Sequence, residues 1–419
     1  MGGLRMGEAR EIEAPSGRLG ILMPGMGRER RPPPAFADLV AATSLWVLGF
    51  AAVAASSRCS HAGSEALRPR RLLPRPPRSY TPHADETSQD RGCRMDYGVH
   101  LPLIDLDGRP WSLQRLREYV ETAEGLGFEA VCANDHLVFS RPWLDGHTAL
   151  AAVLAATGKM DLMTTVALPV VRGPVALAKS LAAIDILSGS RLIVGVGPGS
   201  SVRDYAAAGI PFEERWKRLD EAVGALRALW REDGSPFKGE FYSTEGIVLE
   251  PHPAQPPPIW IGSWGSEAGL RRTARLGDGW LASAYNTTPE AFADARRRLG
   301  EHLRAAGKDP DRFPSAVATM FLHVTEDRAT AQRIVRDVLS PMLGRPEIEL
   351  HQLLLVGPAE ECAEKIIAYR EAGVRRLLIW PVEDELRQLT AFWEWVVPLV
   401  RAHDSPDAAT APARIERRR

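Results

Sequence analysis

From Met95 to about residue 400 the chain alternates, eight times over, between a short apolar run and a longer segment with helical periodicity. No other feature constrains the fold as much. Strands that are apolar on both faces and alternate with helices form a parallel sheet covered on both sides. The strand-like runs are MDYGVHLP (95–102), FEAVCAND (128–135), KMDLMTTVAL (159–168), RLIVGVG (191–197), IWIGS (259–263), GWLASA (279–284), SAVATMFLHV (315–324) and RRLLIWPV (375–382). The intervening helices carry their own start and stop signals. SLQRLREYVETAEGLG (112–127) opens on Ser112 as N-cap and closes on Gly127. GPVALAKSLAAIDILSG (173–189) has Pro174 in its first turn. In FEERWKRLDEAVGALRALW (212–230), Trp216, Leu219, Val223, Leu226 and Trp230 recur at helical spacing. The seventh connection holds two helices, over 325–339 and 357–374.

Eight such units over about 305 residues predict an α/β fold, a (β/α)8 TIM barrel with insertions. A doubly wound sheet is the alternative, but no glycine fingerprint opens the first unit. GVGPGS (195–200) follows the fourth strand instead, and Ser200 stands where the third glycine of G-x-G-x-x-G would fall.

The barrel domain is expected over 95–403. Residues 1–94 are rich in Arg and Pro, lack periodicity, and read as a disordered N-terminal extension, non-native or mis-assigned, with Met95 a natural first residue. Within them LVAATSLWVLGFAAVAA (39–55) offers a signal peptide or short anchor as the competing reading. Residues 404–419 read as a disordered tail. The 419-residue chain carries 52 Lys+Arg against 53 Asp+Glu, so no basic excess points to nucleic acid. Its four cysteines show no CxxC spacing and its histidines no H-E-x-x-H, so neither a metal nor a disulfide framework is expected. The body suits the cytoplasm, with no stable membrane partner.

In a TIM barrel the chemistry lies at the carboxyl ends of the strands. Asn134, Asp135 and His136 stand together at the end of the second strand, where unpartnered polar groups would be costly. The bland reading is a capping pair that ties down a loop. Other strand ends carry Thr164-Thr165, the Gly195–Gly199 run, and Gly262-Ser263-Trp264-Gly265-Ser266. A helix begins near Ser266, and its free N–H groups suit a phosphate; a tight turn needing glycine is the alternative. The 166–174 stretch, VALPVVRGP, reads as a loop that breaks the third strand. The loop Lys238–Pro258 is expected to help form a substrate wall.

The ordered set ANDHL, GPVALAKSLAAIDILSGSRLIVGVGPG, AAAGIPFEERWKRLDEAVGALRALW and PIWIGSWGSEAGLRRTARLGDGWL resembles the luciferase-like monooxygenase superfamily, especially its deazaflavin-dependent branch. The resemblance covers about residues 95 to 400. It implies a TIM barrel binding coenzyme F-420 (F420, an 8-hydroxy-5-deazaflavin), with FMN as the alternative cofactor. It implies that Asp135 and His136 lie beside the ring, His136 as general acid/base and Asp135 orienting its tautomer. It further implies that Thr165, Val166, Ala167 and Leu168 back the ring, commonly through a non-prolyl cis peptide. Ser263, Gly265 and Ser266, with Gly262 and the loop Gly197, Gly199 and Ser200, would hold the phosphate. The expected activity is hydride transfer between F420 and a small organic substrate. The competing readings are an FMN-dependent monooxygenase fed by a partner reductase and a non-catalytic flavin-binding barrel. A homodimer is expected by the same resemblance. Two features depart from the family's sugar-phosphate dehydrogenases. Ser200 follows Gly199 where those enzymes carry a Glu, and Trp143 lies further from the His than their Trp does. Both count against that particular activity.

Overall fold

The structure, a computed structural model, describes residues 95–403. The readings of 1–94 and 404–419 therefore lie outside the described residues. Eight parallel strands close into a ring: β1 (Asp96–His100), β2 (Ala130–Ala133), β3 (Asp161–Ala167), β4 (Leu192–Val196), β5 (Ile259–Gly262), β6 (Gly279–Ser283), β7 (Ser315–Val324) and β9 (Arg376–Pro381). The order follows the sequence, and β9 closes the ring by pairing with both β7 and β1. A ninth strand, β8 (Leu355–Gly357), lies in the seventh connection and pairs only with the end of β7. Its three residues are too short to carry a period, which is why the sequence pattern does not reveal it.

The helices form where their signals stand. In α1 (Leu113–Leu126), Ser112 Oγ accepts the N–H of Arg115, and Gly127 ends the helix at φ 97°. That left-handed conformation favours glycine. Leu116, Tyr119, Val120 and Ala123 form its buried stripe. The same logic places α2 (Gly146–Ala152), α3 (Pro169–Arg172), α4 (Pro174–Leu187), α5 (Val202–Ala208), α6 (Arg215–Leu229), α7 (Glu267–Leu276) and α8 (Pro289–Ala305) around the ring. Within α6, Leu219, Val223, Leu226 and Trp230 are buried as the spacing predicts. Trp216 remains exposed, with the Arg272 guanidinium 4.7 Å over its ring.

Period-two alternation divides the core into two layers. Ala130, Cys132, Met163, Ile193, Trp260, Leu281, Ala316, Ala318 and Leu378 fill the barrel lumen. The residues between them, such as Val131, Leu162, Val194 and Ile379, face the helices. Each fully buried aliphatic side chain contributes about 1.5–3 kcal/mol. At the amino-terminal end, the buried Arg376 guanidinium bonds Asp161 at 2.9 Å and lies 3.5 Å from Asp96. The opposite end, where all eight strands finish, is left for chemistry.

Candidate active site

Continuing the lumen-facing register by two residues defines the mouth. Beyond Gly98 comes His100; beyond Cys132, Asn134; beyond Met163, Thr165; beyond Leu281, Ser283; beyond Leu378, Trp380. These side chains bond around the rim. Thr165 Oγ1 donates to Asn134 Oδ1 at 2.9 Å, and the His100 ring stacks on Trp380 at 4.4 Å and 5°. On β7 the register shifts between Val317 and Met320, and Thr319 sits there at φ 56°. Its N–H, diverted from the ladder, donates to His100 Nε2 at 3.1 Å.

His136 stands just beyond this rim, partly exposed, in contact with Phe139 and Trp143 at ring distances of 4.7 and 4.6 Å. Its Nδ1 lies 2.7 Å from Asp204 Oδ2, and Asp204 Oδ1 accepts the N–H groups of Leu137 and Val138 at 2.9 and 2.8 Å. Burial of Asp204 opposes its charge, but the bonds from His136 and the two amides prevail and hold its carboxyl below the usual range. A charged acceptor at Nδ1 places the proton there and leaves the Nε2 lone pair free. Asp204 comes from the first turn of α5, in which Ser201 Oγ accepts the N–H of Asp204.

The resemblance implies that Asp135 orients the His136 ring; in the structure it is the Asp204 carboxylate that meets His136 Nδ1. Asp135 is buried and points the other way. It accepts the N–H of Leu168 at 3.1 Å and two bonds from Arg172, at 2.5 Å from Nη2 and 3.1 Å from Nε. Arg172 also bonds Asp145, the N-cap of α2. The 166–174 stretch is thus more than a broken strand. Its helical turn α3 carries an arginine back to the second strand end, and the bland reading of Asp135 as a loop-tying acid fits this geometry. His147 Nε2 lies 3.8 Å from the same carboxylate.

The Thr165–Val166 peptide is cis, at the position the resemblance implied. Thr165 and Ala167 are buried, and Val166 is half-buried against the lumen core. Two of the predicted glycines make room for Val166. A Cβ added at Gly197 would come within 2.8 Å of Val166 Cγ2, and one at Gly262 within 3.0 Å of its Cγ1. Gly199 has φ 75° and Ser200 is exposed on the same loop. Across the mouth, Ser263 Oγ accepts the N–H of Gly265, which has φ 82°. Ser266 caps α7 by accepting the N–H of Gly269 at 3.2 Å. Glu267, in the first turn, is drawn aside by His302 at 2.8 Å and Arg298 at 3.5 Å. That turn keeps the anion-favouring polarity of a helix N-terminus.

The Lys238–Pro258 loop is tied to the surrounding helices. Glu221 of α6 accepts the N–H groups of Glu240, Phe241 and Tyr242, and Lys179 of α4 donates to the Glu250 carbonyl. These bonds anchor the loop to α4 and α6. Among the described residues, no helix is long and apolar enough to cross a membrane.

The fold and site define a closed parallel (β/α)8 barrel with an imidazole–carboxylate pair and a half-buried valine at its carboxyl mouth. The model of the luciferase-like monooxygenase family matches residues 95–376, and the chain belongs to that family. The chain is 27% identical over 341 residues to an F420-dependent glucose-6-phosphate dehydrogenase of Kineococcus radiotolerans, covering 71% of this chain and 100% of that one. It is 32% identical over 239 residues to the F420-dependent hydroxymycolic acid dehydrogenase of Mycobacterium tuberculosis, covering 55% of this chain and 64% of the relative. An F420-dependent secondary alcohol dehydrogenase, solved in complex with an F420-acetone adduct, superposes with a TM-score of 0.64. It is 22% identical and aligns over 74% of this chain and 99% of its own.

Proposed function

We propose that the protein is an F420-dependent oxidoreductase that moves a hydride between the deazaflavin and a small organic substrate. The observation that carries this reading is the His136–Asp204 pair, whose free Nε2 stands at the barrel mouth. The residues present suit a flat ring followed by a phosphate. Val166 offers an apolar platform between Gly197 and Gly262, and the capped start of α7 supplies N–H groups for an anion. The curated relatives named for F420 support this cofactor over FMN. When bound, the deazaflavin supplies hydride chemistry at its central carbon.

The chain's own groups handle the proton. In the oxidation direction, His136 Nε2 accepts the proton of a substrate hydroxyl as the carbon loses hydride and the C–O bond becomes a carbonyl. In reduction it returns that proton to the new alkoxide oxygen. Asp204 stabilises the imidazolium formed in between, and Asp135 holds the loop after β3 in place through Arg172. Phe139 and Trp143 pack the imidazole and limit water at it.

The test is anaerobic mixing of F420 with a panel of secondary alcohols, followed by the loss of the oxidised cofactor's visible absorbance. His136→Ala is expected to slow that loss by about 10²–10⁴-fold with an unchanged circular dichroism spectrum. An unchanged rate removes His136 from the reaction. Turnover only with reduced FMN and oxygen replaces this reading with the monooxygenase one.

A further inference from the structure

A cavity of about 300 Å³ opens between α8 and the loop that follows it. Ser315, the first residue of β7, lines it, and so does Ala372, which shortly precedes β9. The cavity therefore belongs to the amino-terminal end of the barrel, opposite the strand ends where His136 and Asp204 stand. Its apolar lining comes from Trp280, Leu299 and Leu303, which are buried, and from Phe313, which is partly so.

Arg296, Gly300 and Arg304 all line this cavity, and their spacing of four residues sets them on one face of α8. Gly300 is the gap in that face. Glycine weakens a helix interior, yet this one is buried inside a 17-residue helix. Packing does not demand it, because a Cβ there would meet nothing closer than Pro310 Cβ at 3.6 Å, an ordinary contact. The missing methyl leaves open space instead. Arg304 leans back over that space, its Nη1 3.7 Å from where the Cβ would stand. Arg296 rests on bare backbone: a Cβ at Gly373, where φ is 97°, would lie 3.1 Å from its Nη1.

Among the described residues neither guanidinium has an ion-pair or hydrogen-bond partner. Arg297 and Glu301, on the same rim, bond each other at 2.8 Å and cancel. Arg296 and Arg304 then face one carboxylate, Asp311, so the cavity carries a net positive charge. A free guanidinium is a planar fork of donors matched to a carboxylate. A cavity of this size, at the small end for ligand sites, has room for about one ring on its apolar lining.

We propose that this cavity binds a small organic monocarboxylate, with the carboxylate taken by Arg296 and Arg304 and the apolar body seated where Gly300 leaves space. The site is separate from the reaction proposed at the mouth, and its test stands or falls without it.

The probe is benzoate, titrated into the full chain at neutral pH and low salt and followed by saturation-transfer NMR. Benzyl alcohol supplies the ring without the charge, and acetate the charge without the ring. Benzoate is expected to bind saturably, and each control about tenfold more weakly or worse. Arg296→Gln and Arg304→Gln should each weaken benzoate about fivefold, a modest factor because both guanidiniums are exposed, and added salt should weaken it in the parent. Gly300→Leu keeps both charges but fills the cavity, and should abolish binding with an unchanged circular dichroism spectrum. If that variant does not fold, Gly300→Ala, which favours the helix and narrows the cavity by one methyl, should weaken binding several-fold. No saturable binding of benzoate would overturn the proposal, as would equal binding of benzyl alcohol. Benzoate that binds the Arg296→Gln, Arg304→Gln double variant as tightly as the parent sits elsewhere, and that result would overturn it too.

Discussion

His136 and Asp204 are 68 residues apart in sequence, yet their side chains meet at 2.7 Å across the barrel mouth. The carboxylate that sets the imidazole's tautomer thus comes from the helix after the fourth strand, and the Asp beside His136 in the chain serves another purpose. On this reading Asp204→Asn keeps an acceptor for Leu137 and Val138 but removes the charge that fixes the Nδ1 proton. We expect kcat to fall about 10²-fold or more with little change in stability. Steady-state kinetics paired with urea denaturation checks this; an unchanged kcat would show that the pair has no part in turnover.

Asp135 predicts the converse. Arg172→Met leaves a fully buried carboxylate without its guanidinium. Removing one partner of a buried pair costs about 3–5 kcal/mol, and the partial exposure of Arg172 puts this case at the lower end. Urea denaturation should show the loss, and Arg172→Met with Asp135→Asn should recover part of it. A single variant as stable as the parent would mean that Asp135 is not held by this bond.

How much of this was readable in the sequence follows from the range of each signal. Helix caps, strand alternation and their eightfold recurrence are local, so the ring and nearly all its elements could be read directly. The His136 position was equally plain, because a polar triplet ending an apolar strand stands out. Its partner was not. Asp204 lies in SSVRDYAAAG, where a cap serine and an acid three residues on mark a helix start and nothing local points to an imidazole 68 residues away. His100 was missed because one histidine in an apolar strand has a common structural explanation. Its lumen-facing register could have drawn attention to it. Gly197 and Gly262 were read as ligand contacts, and the sequence could not show that their first neighbour is Val166, since that contact crosses three strands.

That contact has a measurable consequence. Gly197→Ala would push its methyl to within 2.8 Å of Val166 Cγ2 and displace the platform. Overpacking of this kind costs about 1–3 kcal/mol. F420 affinity should fall in the single variant and return in part when Val166→Ala, which relieves the contact but trims the platform, is added. Additive losses in the pair would show that Gly197 acts independently of Val166.

His100 makes stability depend on pH with a definite sign. Its folded pKa is lowered to about 3 from an ordinary 6.5, so below pH 6.5 the unfolded chain binds a proton that the folded one refuses. Its contribution is complete above pH 6.5 and declines by about 1.4 kcal/mol per pH unit as pH falls toward 3. Urea denaturation between pH 6 and 4 should therefore show a slope shallower by about one proton in His100→Phe than in the parent. Equal slopes would mean that His100 is protonated in the folded protein.

The central claim, that the mouth accepts a deazaflavin beside His136, is tested most directly by titrating the protein with F420 and with FMN while following tryptophan fluorescence, since Trp143 and Trp380 line that mouth. The account predicts saturable quenching by F420 at about tenfold lower concentration than by FMN, or less. No quenching by either, or tighter binding of FMN, would contradict it.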